Sequence, residues 1–217
     1  MNLHALSKAE LVSRANFSCE HRHTGLDHPQ CYEKKYPPER IGFLDIESTN
    51  LTASFGYMLS YCIKRHGGEV LKRPIAPEDI RKKRYDKALC KQFLEDVKQF
   101  DRIIGYYSSR FDVPFLRTRC IYWHLDFPPM GSLFHTDAYY AVRGKLRLHR
   151  NRLEVACDTF GIESKGHRLT PSVWQAAMSG DKKAIDYVLA HNVEDVISLE
   201  LLWDRLAGHV RVNKTSI

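Results

Sequence analysis

The sequence predicts an α/β domain built on a five-stranded mixed sheet flanked by helices, and three observations predict it. Ile41, Phe43, Leu44 and Ile46 form an apolar run of strand length, closed by Ser48-Thr49-Asn50. Two more strand-like runs, 55–63 and 70–75, follow directly with His66-Gly67-Gly68 between them, which reads as an antiparallel meander. The apolar spacing then turns helical over 86–99 and returns to a short buried strand at 103–105; helix followed by strand marks an α/β layer rather than an all-β one.

A chain of 217 residues suffices for one well-buried domain plus an appendage. The expected division is a leader over residues 1–40 and the α/β domain over 41–210. Hydrophobic content of 43% and charged content of 27% fit a soluble globular protein. No apolar run reaches membrane-spanning length, and Met1-Asn2-Leu3-His4-Ala5 lacks the regions of a signal peptide. A cytoplasmic protein with no membrane partner and six reduced cysteines is therefore expected. The net charge of +7 points to a polyanionic partner.

Taken in order, residues 3–15 carry Leu3, Leu6, Leu11 and Val12 as the apolar stripe of a short helix. A Cys/His-rich loop from Cys19 to Cys31 comes next. Cys19, His28 and Cys31, with His23 or with His21 in its place, offer the four soft or borderline ligands that Zn²⁺ takes in a tetrahedron; a flexible leader that binds nothing is the alternative. Pro37-Pro38 separates this leader from the first strand.

That strand carries two acids. Side chains alternate faces along a strand, so Asp45 and Glu47 point to one side, where like charges repel and lose hydration. A divalent cation offsets such a pair; a strand end running out into solvent is the other reading. Arg81-Lys82-Lys83-Arg84 reads as a solvated basic face. After the 103–105 strand, Asp112 stands two residues before Pro114, near the start of a helix through Phe115, Leu116 and Cys120. Residues 133–135 form a further strand, ending in Thr136-Asp137. The stretch 143–152 carries Arg143, Lys145, Arg147, Arg150 and Arg152 without an acid, a density that suits phosphate contacts. Asn151 is expected to cap a helix over 153–160, with Gly161 as its stop. Pro171–Met178 is a brief helix. Asp181 caps the last long one, whose His191 and Asp195 share a face one turn apart.

Three of these pieces recur together. Phe43-Leu44-Asp45-Ile46-Glu47, Arg110-Phe111-Asp112-Val113-Pro114-Phe115-Leu116 and His191-Asn192-Val193-Glu194-Asp195-Val196 resemble, in this order, the DEDD family of 3′–5′ exonucleases, and most of all its branch of predicted ribonuclease-H-like nucleases. The resemblance runs from about residue 41 to 206. It implies a ribonuclease-H-like fold and phosphodiester hydrolysis of DNA or RNA with two Mg²⁺ or Mn²⁺ ions held by Asp45, Glu47, Asp112 and Asp195. It also makes His191 the candidate general base, and Ser108 and Arg110 substrate contacts. The family has a form with His five residues before the last Asp and another with Tyr four before it; this chain, with Ala190 and His191, combines the two. Ser108 stands where many relatives carry Asn, and Asp137 reads as a structural hydrogen-bonding aspartate. Internal cleavage on the same fold, or nucleic-acid binding without catalysis through the basic surface and the Cys/His loop, are the alternatives.

Overall fold

The computed structural model describes residues 8–163, 166–210 and 215–217. The chain divides into two compact units, Met1–Glu39 and Arg40–Ile217.

In the first unit, α1 (Lys8–Asn16) and α2 (Pro29–Lys35) are joined by the Cys/His-rich loop. Leu3 and Leu6 of the expected first helix lie outside the described residues. The two helices meet at Tyr32: its hydroxyl bonds Ser13 Oγ at 2.7 Å, and the Arg14 guanidinium lies 4.6 Å from its ring centre. Arg14 is itself held by Glu10 and Glu33.

The second unit is a five-stranded mixed sheet in the order β3-β2-β1-β4-β5. β1 (Ile41–Ser48), β2 (Met58–Arg65) and β3 (Val70–Pro74) form the antiparallel meander. β4 (Arg102–Gly105) pairs parallel with β1, and β5 (Phe134–Asp137) parallel with β4. Two parallel neighbours need crossovers, and helices supply them. α3 (Pro77–Arg81) and α4 (Lys87–Asp96) link β3 to β4; α5 (Asp112–Tyr122) links β4 to β5. Then follow α6 (Ala138–Lys145), α7 (Leu153–Thr159), α8 (Pro171–Met178) and α9 (Lys182–Leu206).

Alternation along β1 sorts the core. Leu44 and Ile46 join Tyr61, Ile63, Leu89, Phe93 and Leu116 on the face covered by α4 and α5. Phe43 joins Cys62, Ile104, Val196, Leu199 and Trp203 on the face covered by α9. Asp45 and Glu47, in phase with Phe43, therefore point toward α9.

Two local expectations need correction, and two short helices come in addition. β2 begins at Met58 rather than 55, because Thr52 accepts turn bonds from Phe55 and Gly56 and leaves Phe55 exposed. The cap of α7 is Arg152, without a side-chain bond, while the carbonyl of Asn151 accepts the Tyr106 hydroxyl at 2.9 Å. α3 and α6 were not expected; both are short and weakly patterned. The 81–84 run behaves as read: Arg81 and Lys82 pair with Glu78, and Arg84 with Asp79. Asp181 caps α9 by accepting the Ala184 amide at 2.8 Å.

Candidate active site

The acids meet at the carboxyl ends of the parallel strands. β1 delivers Asp45 and Glu47 where its pairing with β2 shifts register, between Glu47 and Ser48. β4 ends at Gly105, and the chain turns through Tyr107, a non-glycine residue held at φ 61°, into α5 with Asp112 at its first position. That turn is pinned by Asp137, whose carboxylate accepts the amides of Tyr107 (2.8 Å), Ser109 (2.9 Å) and Tyr139 (3.1 Å). Asp137 is thus the structural aspartate expected at a strand end.

Asp112 is buried, and its Oδ1 accepts the Ile46 amide at 3.1 Å, between the two acids of β1. α9 closes the site from above. Its Asn192, fully buried, donates from Nδ2 to Asp45 Oδ2 at 2.6 Å. One turn apart on the same helix, His191 and Asp195 face Glu47: His191 Nε2 lies 3.4 Å from Asp195 Oδ2 and 3.6 Å from Glu47 Oε1.

His191 Nδ1 lies 2.6 Å from the carbonyl of His167, which can only accept, so Nδ1 carries a hydrogen and Nε2 faces the acids. The His167 segment is itself tied to α9, its ring and amide both bonded to Glu194. Burial would raise the Glu194 carboxyl; the His167 ring and amide outweigh it and hold Glu194 below the usual range.

Electrostatically the site is under pressure. Burial, then the charges of Asp112, Asp195 and Glu47, push the Asp45 carboxyl well above the usual carboxylate range, against the pull of Asn192. Asp112 is raised to about 7, by burial first, with Asp137 and Asp195 adding to it and the amides of Asp112 and Ile46 opposing. Among the described residues no lysine or arginine pairs with either aspartate.

Not every expected residue joins the cluster equally. Ligand atoms of Glu47, His191 and Asp195 lie within 4.8 Å of one another and form a group able to hold a metal. Asp45 and Asp112 flank that group, each with one oxygen engaged by Asn192 or by β1. Ser108 corrects the expectation of a substrate contact: it is fully buried, its hydroxyl 2.9 Å from His135 Nε2. Arg110 is exposed, with Nε 3.2 Å from the Tyr140 hydroxyl. Arg143 and Lys145 on α6, and Arg147, Arg150 and Arg152 in the loop to α7, are all exposed. In the first unit, Cys19, His21, His28 and Cys31 come together, so His21 rather than His23 completes that tetrad.

Sequence reasoning missed Asn192 and His167. Asn192 had a legible signal, a buried-face polar residue next to His191; His167 had none. It also missed a cleft of about 410 Å³ beside Glu47, lined by Ser48, Leu51, Phe111 and Trp174. A cavity of about 650 Å³ lies at the other end of the strands around Arg40, Phe100 and Leu133 and is lined by none of the site's acids; size is no guide to chemistry here.

Comparison with known proteins agrees with this topology. The RNase_H_2 family, described as RNase_H superfamily, matches residues 42–207. The chain belongs to the RNase_H superfamily. That membership supports a nuclease class and divalent-metal use. Among solved structures, the family B DNA polymerase from the hyperthermophilic archaeon Pyrobaculum calidifontis is similar with a TM-score of 0.62 at 20% identity, covering 79% of this chain and 25% of the polymerase chain. At that identity the likeness is one of fold, and this chain spans about a quarter of the polymerase's length. No curated protein matches by sequence. No helix among the described residues is long and apolar enough to cross a membrane.

Proposed function

We propose that this chain is a metal-dependent nuclease that shortens DNA or RNA from the 3′ end, carried out by the domain over 41–210. The observation that carries the reading is the convergence of Asp45, Glu47, Asp112, His191 and Asp195, from a strand, a helix start and a distant helix, at one end of an RNase_H-superfamily sheet. The 3′–5′ polarity rests on the resemblance of the three segments that carry them to DEDD exonucleases.

The residues fit divalent cations. Carboxylate oxygens are the hard ligands Mg²⁺ and Mn²⁺ prefer. Burial first, and neighbouring acids after it, drive Asp45 and Asp112 toward the neutral form, which a bound cation would reverse, and Asn192 Oδ1 is buried without a hydrogen-bond partner. In this reading Asp45, Glu47, Asp112 and Asp195 hold two ions, which polarise the attacking water and stabilise the leaving oxygen when bound. Asn192 orients Asp45, and the Ile46 amide orients Asp112. His191, its Nδ1–H anchored on the His167 carbonyl, presents Nε2 to take the proton of the attacking water. Phe111 and Trp174 offer aromatic faces on which a terminal base stacks. The exposed cations at 110 and 143–152 track the phosphates behind it.

End-labelled oligonucleotides test this directly. Single- and double-stranded DNA and RNA, incubated with Mg²⁺, Mn²⁺ or EDTA, are expected to shorten stepwise from the 3′ end only with metal. A defined internal fragment would move the reading to an endonuclease, and binding without cleavage would end the enzyme reading.

A further inference from the structure

We infer that Cys19, His21, His28 and Cys31 form a closed, structural zinc site that holds the first unit together. The argument rests on that unit alone and is independent of the nuclease reading.

The backbone builds the site from two pairs. Arg22 sits in the left-handed region at φ 62°, and the turn is closed by Arg22 N to Cys19 O (2.9 Å) and Cys19 N to His23 O (3.0 Å). That turn folds His21 back beside Cys19. The second pair belongs to the entry of α2, with His28 at its cap and Cys31 in its first turn. Thr24 and Asp27, bonded to each other, and His28 N to Thr24 O (2.9 Å) bring the pairs together.

The distances are those of a tetrahedron's edges. With Zn–S near 2.3 Å and Zn–N near 2.0–2.1 Å, a sulfur and a nitrogen on one tetrahedral zinc stand about 3.6 Å apart. Here Cys31 Sγ lies 3.7 Å from His28 Nδ1 and 4.0 Å from His21 Nδ1, and Cys19 Sγ lies 3.9 Å from His21 Nδ1. Both imidazoles thus present Nδ1 inward. Two thiolates and two neutral imidazoles suit zinc in softness, and the thiolates neutralise its charge. Four protein ligands fill the tetrahedron and leave no position for water or substrate, which makes the site structural rather than catalytic. His23 stays outside, its ring packed against that of His28 with centres 4.2 Å apart.

The unit needs such a device. Of its described residues only Arg14, Gly25 and Tyr32 are buried, and one of those is a charged side chain. Chains below about 40 residues rarely fold on apolar burial alone and use a metal or disulfides instead. Metal binding then supplies the folding free energy.

The test uses the full chain, purified without chelators. About one equivalent of zinc is expected by elemental analysis. Replacement by Co²⁺ should give the visible bands of a tetrahedral ion with sulfur ligands, a signal that does not depend on activity. Cys31→Ser and His21→Ala should lose most of the metal, while His23→Ala keeps it. Chelation should expose residues 16–38 to protease, with the second unit protected. Absence of zinc and of a tetrahedral Co²⁺ spectrum in wild type overturns the site. Retention by His21→Ala with loss by His23→Ala overturns this ligand set.

Discussion

Two clusters of buried acid in the second unit differ in what surrounds them. Asp86, fully buried, accepts from both Arg119 Nε (2.8 Å) and Nη2 (2.7 Å), from Trp123 Nε1 (2.8 Å) and from the Met58 amide (2.9 Å). Asp45 is held by the Asn192 side-chain amide and Asp112 by the backbone amides of Ile46 and of Asp112 itself, beside further acids and, among the described residues, without a lysine or arginine. Burying a carboxylate costs several kcal/mol unless charge and hydrogen bonds offset it. At Asp86 the protein supplies the offset itself, and the cluster joins β2 to α5. At Asp45 and Asp112 no positive side chain among the described residues does so, and in the proposed reading a bound cation would supply the offset. The first arrangement serves the fold; the second is the signature expected of a site built for cations.

That contrast is broken or upheld most sharply at Asp45. Asp45→Asn should abolish cleavage while the metal-free protein melts at or above the wild-type temperature, because a repelled charge is gone. Adding Mn²⁺ should raise the melting temperature of wild type and much less that of the variant, since a ligand binding only the native state stabilises it. Near-normal turnover by Asp45→Asn would remove Asp45 from the chemistry.

How much of this was legible in the sequence follows the same division. The β1 acids announced themselves because period-two alternation puts Asp45 and Glu47 on one face, and α9 because Asp181, the apolar stripe and the His191/Asp195 spacing agree. What brings these elements together is long-range: the Ile46 amide meeting Asp112 and Asn192 reaching Asp45 span 66 and 147 residues, distances no local pattern encodes. Ser108 was misread for a related reason. The expectation came from its position, where many DEDD relatives carry Asn, and only its burial against His135 on β5 shows that it faces inward. The Cys/His-rich loop gave up its candidate ligand types but not which histidine joins Cys19, His28 and Cys31, because the left-handed turn at Arg22 that brings His21 beside Cys19 leaves no local sequence pattern.

The next largest effect is expected at His191. If its Nε2 is the base, His191→Ala lowers kcat by about 10²–10⁴-fold with little change in KM, the usual span for lost general acid–base catalysis. The acidic limb of the pH–rate profile should change with it. His191→Tyr distinguishes a base from a residue that only orients water: retained turnover with a flattened pH dependence would assign the second role. Unchanged rate and profile in both variants would make His191 a packing residue of α9.

The structural cluster should answer in stability instead. Asp86→Ala leaves the Arg119 guanidinium buried without its counter-ion, a loss of about 3–5 kcal/mol. Denaturant unfolding should show it at every metal concentration, whereas Asp45→Asn shows no such loss in metal-free protein. A midpoint for Asp86→Ala within error of wild type would mean that neighbouring acceptors or water rescue Arg119, and the contrast between the clusters would lose its structural half.

The smallest effect is a pH-dependent one at Asp96, a second structural carboxylate. Burial would raise its carboxyl, but hydrogen bonds from Arg73 (2.7 and 3.2 Å), Gln92 (2.9 Å) and Tyr61 (2.9 Å) outweigh it and hold the group below its ordinary value. A carboxyl with a depressed folded-state pKa contributes stability that is present above its unfolded value, near 3.9, and is lost as pH falls through the folded value. Asp96→Asn should therefore cost about 1.5–3 kcal/mol at pH 7, the range for hydrogen bonds to a charged group. The gap to wild type should close progressively below about pH 4. Urea midpoints of both proteins between pH 3 and pH 7 measure it. A gap that stays constant across that range would show that Asp96 acts through shape rather than charge, and would leave Asp86 as the only ion-paired carboxylate on which the comparison rests.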